Sequence, residues 1–203
     1  MAAPRDISPP KPSESELRLR IIDAATSLFA QRGYAATSMR DVAEGASCTK
    51  PGLYYHFDNK EALFLEVIVN TTETIVDVLR HAFETEGTVR ERLLRSMTDY
   101  YAYLRKNPRS LKVLLQAELS PEVGQPDIDF RSMRQTFVDL VMPLLQEGVA
   151  SGEIRNDVDL MDALLLLGGA VDSRALLFVL ENEPIPHDYP ERVLALIFGG
   201  LGP

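Results

Sequence analysis

Residues 37–64, TSMRDVAEGASCTKPGLYYHFDNKEALF, constrain the fold more than any other stretch, because three helix starts fall within about two dozen positions. Helices in globular proteins average about 11 residues, so such density specifies short helices joined by tight turns. Thr37 and Ser38 can cap a first helix whose apolar residues Met39, Val42, Ala43 and Ala46 recur at three- and four-residue spacing. A turn at Ser47 and Cys48 ends it. Thr49 can cap a second helix with Pro51 in its first turn, where the missing N–H removes no hydrogen bond. Leu53 and Phe57 then point inward, which leaves Lys50, Gly52, Tyr54, Tyr55 and His56 facing out. Asp58 followed by Glu61 reads as a capping box opening a long third helix. Two short helices across a tight turn form a unit that sets its second helix into a groove of duplex DNA.

The segment resembles the helix-turn-helix of the TetR family of bacterial transcriptional repressors. The resemblance rests on Thr37, Val42-Ala43, Leu53-Tyr54, His56-Phe57 and Lys60-Glu61-Ala62-Leu63. The chain departs from the family pattern at Ser47, where the turn glycine is usual, at Cys48 in place of Val, and at Pro51-Gly52 in place of Gly-Thr. A left-handed residue in the turn would cost Ser roughly 1 kcal/mol that Gly avoids. The resemblance implies a DNA interface built from Ser38, Arg40, Lys50, Pro51, Gly52, Tyr54, Tyr55, His56 and Lys60. Lys50 and Gly52 belong to the first turn of the recognition helix, which meets base edges, and the polar-tipped aromatics suit phosphate, sugar and thymine-methyl contacts. Tyr54 and Tyr55 have a second reading, as a cover for the three-helix core, and His56 as a solvated surface residue.

Charge cuts against nucleic acid until it is divided by region. The 203 residues carry a net −9. Residues 1–64 hold eight Lys/Arg and eight Asp/Glu, so the acidic excess lies entirely in the remainder. A neutral head on an acidic body predicts modest non-specific affinity and a shallow salt dependence, with binding resting on a few placed cations, helix-start N–H groups and dimerisation. With 45% hydrophobic and 25% charged residues the composition is that of an ordinary globular protein. Residues 1–13 carry four prolines and no apolar core, and read as a disordered arm without a secretory signal. The longest apolar run, 163–171, is well short of the ~20 residues that cross a bilayer, so a cytoplasmic protein without a membrane partner is expected. The single cysteine, Cys48, excludes an internal disulfide. It reads either as a small apolar substitute for Val or as an oxidation sensor beside DNA.

Around this segment the chain reads as helix throughout, with no strand-like alternation. An all-α fold of about nine helices is expected: a DNA-binding domain at 14–60 and a ligand-sensing and dimerisation domain at 61–203. Helix one, about 14–31, has an apolar stripe of Leu17, Ile21, Ile22, Ala25, Leu28 and Phe29, and stops at Gly33. The later helices are expected near 59–83, 88–106, 110–119, 128–149, 158–181 and 189–201. Thr88 with Glu91 gives one of them a capping box, and Asn107-Pro108 ends it.

The helix at 159–180 is apolar on nearly all sides and has to be buried all round. Burial within one subunit is one solution. The other is a four-helix interface between two subunits, using Leu165, Gly168, Gly169 and Leu176 with Val193, Leu196 and Ile197, and a two-fold operator reader needs a two-fold protein. The family resemblance further implies an effector pocket lined by Tyr100, Tyr103, Leu104, Leu115, Met133 and Phe137, residue types that serve equally as plain core. Arg174 has no acidic residue three or four positions away, so it either pairs across helices or subunits or holds an anionic effector. A bound effector would shift the helix after residue 60 and carry the head out of register with the groove.

The function expected is therefore a ligand-responsive regulator, a repressor released from a palindromic operator by a small apolar or amphipathic effector. The alternative is a helical adaptor whose head has lost DNA affinity. An enzyme is disfavoured: the chain lacks a nucleophile-elbow motif, a phosphate-binding glycine loop and a paired His/Cys, so no catalytic residue or cofactor is expected. His56, His81 and His187 are too scattered to bind a metal.

Overall fold

A computed structural model of the protein describes residues 14–201, so the expected arm at 1–13 lies outside the described residues. Within them the chain forms α1 Glu14–Arg32, α2 Met39–Gly45, α3 Lys50–His56, α4 Lys60–Phe83, α5 Val89–Lys106, α6 Pro108–Leu119, α7 Phe130–Ser151, α8 Leu160–Glu181 and α9 Tyr189–Leu201. The described residues contain no strand, as the absence of period-two patterning predicts.

Caps fix most of these boundaries. The Ser38 hydroxyl accepts from the Asp41 N–H while the Asp41 carboxylate returns to the Ser38 N–H, and the Thr88–Glu91 box opens α5 in the same way. Thr49 caps α3 by accepting from the Gly52 N–H at 3.2 Å. The capping box expected at Asp58–Glu61 does not form. Asn59 is the cap instead, in extended backbone, its Oδ1 accepting from the Ala62 N–H at 2.8 Å. Both side chains are competent caps; the start one residue later seats Leu63 and Phe64 in the core beneath α1. α6 begins at Pro108 rather than near Ser110, because proline at the first helical position gives up no intrahelical bond.

Two apolar clusters divide the molecule along α4. The first gathers α1, α2, α3 and the first turns of α4 around Ile21, Phe29, Val42, Leu53 and Phe64, with Val113 and Ala117 of α6 joining it. Phe29 and Phe64 meet edge to face at 5.0 Å and Tyr34 closes on Phe64 at 4.9 Å. The second gathers α5, α7, α8, α9 and the later part of α4 around Leu93, Tyr101, Leu104, Leu145 and Leu194. Phenols stitch this layer: Tyr101 donates to the Val171 carbonyl at 3.2 Å and Tyr189 to that of Ala170 at 2.9 Å.

α8 departs from what its apolarity alone suggests. By length and composition it could cross a membrane, although its longest uninterrupted apolar run is short. Within one chain it packs on α7, α9, α6 and α5, yet only Ala163, Leu167 and Ala175 are fully buried. Its outer face is left bare.

Candidate nucleic-acid interface

α3 is held from below and open above. Leu53 is fully buried and Phe57 is 5% exposed, and this fixes the roll of a two-turn helix. Lys50, Pro51, Tyr54 and Tyr55 consequently face solvent, Tyr54 at 48% and Tyr55 at 73% exposure. Large exposed phenols on one short helix are unusual for a surface with no partner. His56 is half-buried, its ring edge-on to Tyr55 at 5.2 Å. Gly52 lies within the first turn, where an added Cβ would approach Thr49 Oγ1 to 3.2 Å, so the cap and the glycine fit each other.

The turn before α3 is tight. Ser47 adopts φ 50°, the left-handed region where a side chain is strained, while the Cys48 N–H donates to the Ala43 carbonyl at 2.9 Å. Cys48 is half-buried against the first cluster, and burial pushes its thiol up from the ordinary value.

Other residues of the expected interface sit differently. Arg40 is exposed on α2, but Ser38 is engaged as the α2 cap, and its hydrogen bonds hold the Asp41 carboxyl below the usual range. Lys60 turns away from α3: its ammonium donates to the Tyr34 carbonyl at 2.9 Å and lies 4.1 Å from that ring's centre. Arg18 is likewise engaged, paired with Glu66 at 2.5 Å and lying over Phe57. Among the described residues, Lys50, Arg40, Arg20 and Arg32 are exposed cations at this end. Arg32 sits in the last turn of α1 and Arg20 nearer its start, and nothing in their sequence spacing marks either as part of the interface.

The residues expected to line an effector pocket fall in two places. Tyr100 and Leu104 are fully packed in the second cluster, with Tyr103, Leu115 and Phe137 partly buried at its edge. Met133 instead packs against the first cluster, its sulfur 3.8 Å from the Thr72 hydroxyl. Tyr103 also lines an open groove of about 300 Å³ with Val78, His81 and Lys106. A larger open groove, about 470 Å³, runs between α1 and the α2–α3 turn past Arg20 and Ser47, away from the expected pocket. Arg174 pairs within its own chain: it reaches Glu183 at 3.2 Å, donates to the Pro184 carbonyl and stacks on Tyr189. Its Nε remains buried without a hydrogen-bond partner.

Of the residues expected at a subunit interface, Leu165 is 62% and Leu196 79% exposed, with Gly169 open beside them. Gly168, Leu176 and Val193 are half-buried, while Ile197 faces inward into the second cluster. A Cβ on Gly168 or Gly169 would meet nothing within 4 Å, so any close backbone approach there comes from outside the chain. No group of three metal-ligating side chains occurs among the described residues.

Residues 21–67 match the family model described as bacterial regulatory proteins, tetR family. The chain is 30% identical over 147 residues to the HTH-type transcriptional repressor KstR2 of Rhodococcus jostii (strain RHA1), covering 72% of each protein. It is 26% identical over 189 residues to the HTH-type transcriptional activator FasR of Mycolicibacterium smegmatis, covering 92% of this chain and 83% of that one. Among solved structures, the transcriptional regulator FadR from Bacillus subtilis in complex with stearoyl-CoA superimposes with a TM-score of 0.74 at 22% identity, over 90% of this chain and 98% of FadR.

Proposed function

From the chain's membership of the TetR family of bacterial regulatory proteins, we propose that it acts as a homodimeric, ligand-responsive repressor that binds a palindromic operator through α3 and is released by an amphipathic effector. One observation carries this reading: Leu53 and Phe57 anchor α3 while Lys50, Tyr54 and Tyr55 are exposed to solvent on its opposite face. In this reading the head comprises 14–60 and Lys50, Pro51 and Gly52 approach base edges, while Arg40, Tyr54, Tyr55 and His56 fix the register on phosphate and sugar. Ser38 and Lys60 serve the interface indirectly, by holding α2 and α4.

The body, residues 61–203, supplies the other two roles. The bare face of α8 with Leu196 of α9 supports a four-helix seam between two copies, since an isolated subunit would leave Leu165, Leu166, Leu180 and Leu196 in water. The effector enters among Tyr100, Tyr103, Leu104, Leu115 and Phe137. Because Tyr100 and Leu104 are packed, binding must part α5 from its neighbours, and α4, the helix most extensively packed on α5, carries that movement to the head. The stearoyl-CoA held by FadR makes long-chain acyl thioesters the first class to try. A cytoplasmic, non-enzymatic protein completes the reading.

Footprinting on the chain's own upstream region provides the test. Protection of an inverted repeat, weakened at least tenfold in Tyr54→Ala without loss of folding, is expected. No protection even at low salt would instead favour an adaptor, a role that the neutral charge of the head would suit.

A further inference from the structure

The end of α1 makes a small anion cradle, and the body fills it. Gly33 adopts φ 79°, which turns the next two backbone N–H groups, those of Tyr34 and Ala35, toward one point. Neither finds a helical acceptor. Glu122, in the loop between α6 and α7, inserts its carboxylate there: Oε1 accepts from Tyr34 at 3.0 Å and Oε2 from Ala35 at 2.8 Å. A Cβ at position 33 would lie 1.9 Å from Glu122 Oε1, so a side chain there would have to displace the carboxylate. The loop is braced behind it, with Gln125 donating to the Ala117 carbonyl at 3.0 Å and accepting from the Glu122 N–H.

Tyr34 joins three parts of the molecule. Its ring packs on Phe29 and Phe64, its carbonyl takes the Lys60 ammonium, and its N–H holds Glu122. The segment from Tyr34 leads within four residues to Ser38, the cap of α2. Arg109 of α6 adds a bond to Ser27 of α1 at 3.1 Å, so α6 and its following loop grip α1 at two points. Two charge-assisted bonds to consecutive amides fix direction as well as distance.

We infer that Glu122 is a positioning residue for operator binding: its carboxylate sets the angle of the DNA-reading end on the body, through the Tyr34 and Ala35 amides. This rests on the regulator reading above. Loss of the carboxylate leaves each core intact and lets the two heads of a dimer wander, so that half-site spacing is read less strictly.

The test uses the full-length dimer carrying Cys48→Ala and a spin label at Glu44→Cys, an exposed α2 position. The head-to-head distance distribution is expected to be narrow in the parent, broad in Glu122→Ala and intermediate in Glu122→Gln, which keeps one acceptor. On the footprinted operator, Glu122→Ala is expected to lose affinity on the order of tenfold, as two charge-assisted bonds imply. It should also discriminate less against a version with its half-sites one base pair further apart, a readout that a loss of stability alone does not move. An unchanged distance distribution, or unchanged spacing discrimination in a variant whose heads have loosened, overturns the inference. Failure of the parent to bind any operator removes the regulator reading, and the distance measurement alone still decides whether Glu122 holds the head. If Glu122→Ala does not fold, the same comparisons are made on Glu122→Gln.

Discussion

Lys60 and Tyr34 meet twice, once through the ammonium and the Tyr34 carbonyl at 2.9 Å and once through the same ammonium over the ring at 4.1 Å. A cation engaged in this way ties α4 to the turn after α1. Lys60→Ala is therefore expected to lower stability by about 1–2 kcal/mol, the sum expected of a charged hydrogen bond and a cation–π contact that are partly solvated. The salt slope of operator binding should stay as it is. Lys50→Ala should do the reverse, leaving stability within about 0.5 kcal/mol and reducing the slope by about one counterion. Denaturant titration and anisotropy at several salt concentrations separate the two.

Ser47 is expected to be a turn residue that glycine improves. At φ 50° a seryl Cβ crowds the following carbonyl, which costs roughly 1 kcal/mol, and the greater chain entropy of unfolded glycine returns part of any gain. Ser47→Gly should raise unfolding stability by a few tenths to about 1 kcal/mol, read as an upward shift in thermal midpoint with operator affinity preserved. A lowered midpoint would show that the side chain contributes something its left-handed backbone does not reveal.

Ser47 also marks where sequence reasoning works. Turns and caps are local, so Ser38, Thr49, Thr88 and Gly33 were legible from spacing and side-chain chemistry, and with them nearly every helix. The outward set of α3 followed from Leu53 and Phe57 alone. Asp58 and Asn59 were not separable, because both are good caps and the choice is made by Leu63 and Phe64 docking beneath α1. Illegible for a deeper reason were the contacts between distant parts of the chain. Glu122 finds Tyr34 across 88 positions, and Met133 packs on the head although its helix belongs to the body. Arg174 looked partnerless along its own helix and is served by the loop that follows it. No periodicity carries such pairings; they exist only once the helices are stacked.

The exposed face of α8 yields a prediction about assembly. Leu165 lies on it at 62% exposure in a single chain, and Leu196 of α9 is 79% exposed. Burying each in a seam is worth about 1.5–3 kcal/mol, and placing a carboxylate there instead is unfavourable by more. Leu165→Asp is expected to shift the protein from dimer to monomer in analytical ultracentrifugation and to weaken operator binding by at least a hundredfold, since one half-site then binds alone. Ile197→Asp should behave differently, because Ile197 faces the subunit's own core, and its variant should unfold rather than dissociate.

Acid should loosen the cap of α2. Hydrogen bonds from Ser38 hold the Asp41 carboxyl below its ordinary value, and Thr88 does the same for Glu91 at the start of α5. A carboxyl whose folded pKa lies below its unfolded one stabilises the fold above the unfolded value, near 4, and that contribution disappears as pH falls through the folded value. Between about pH 5 and pH 3 the protein should therefore lose stability, and Asp41→Asn should lose less over the same interval, since its cap no longer titrates. Amide exchange places the effect: the N–H groups at the start of α2 should lose protection across this interval before those of α8. If Asp41→Asn followed the parent curve throughout, the acid sensitivity would have to come from carboxylates other than the Ser38 cap.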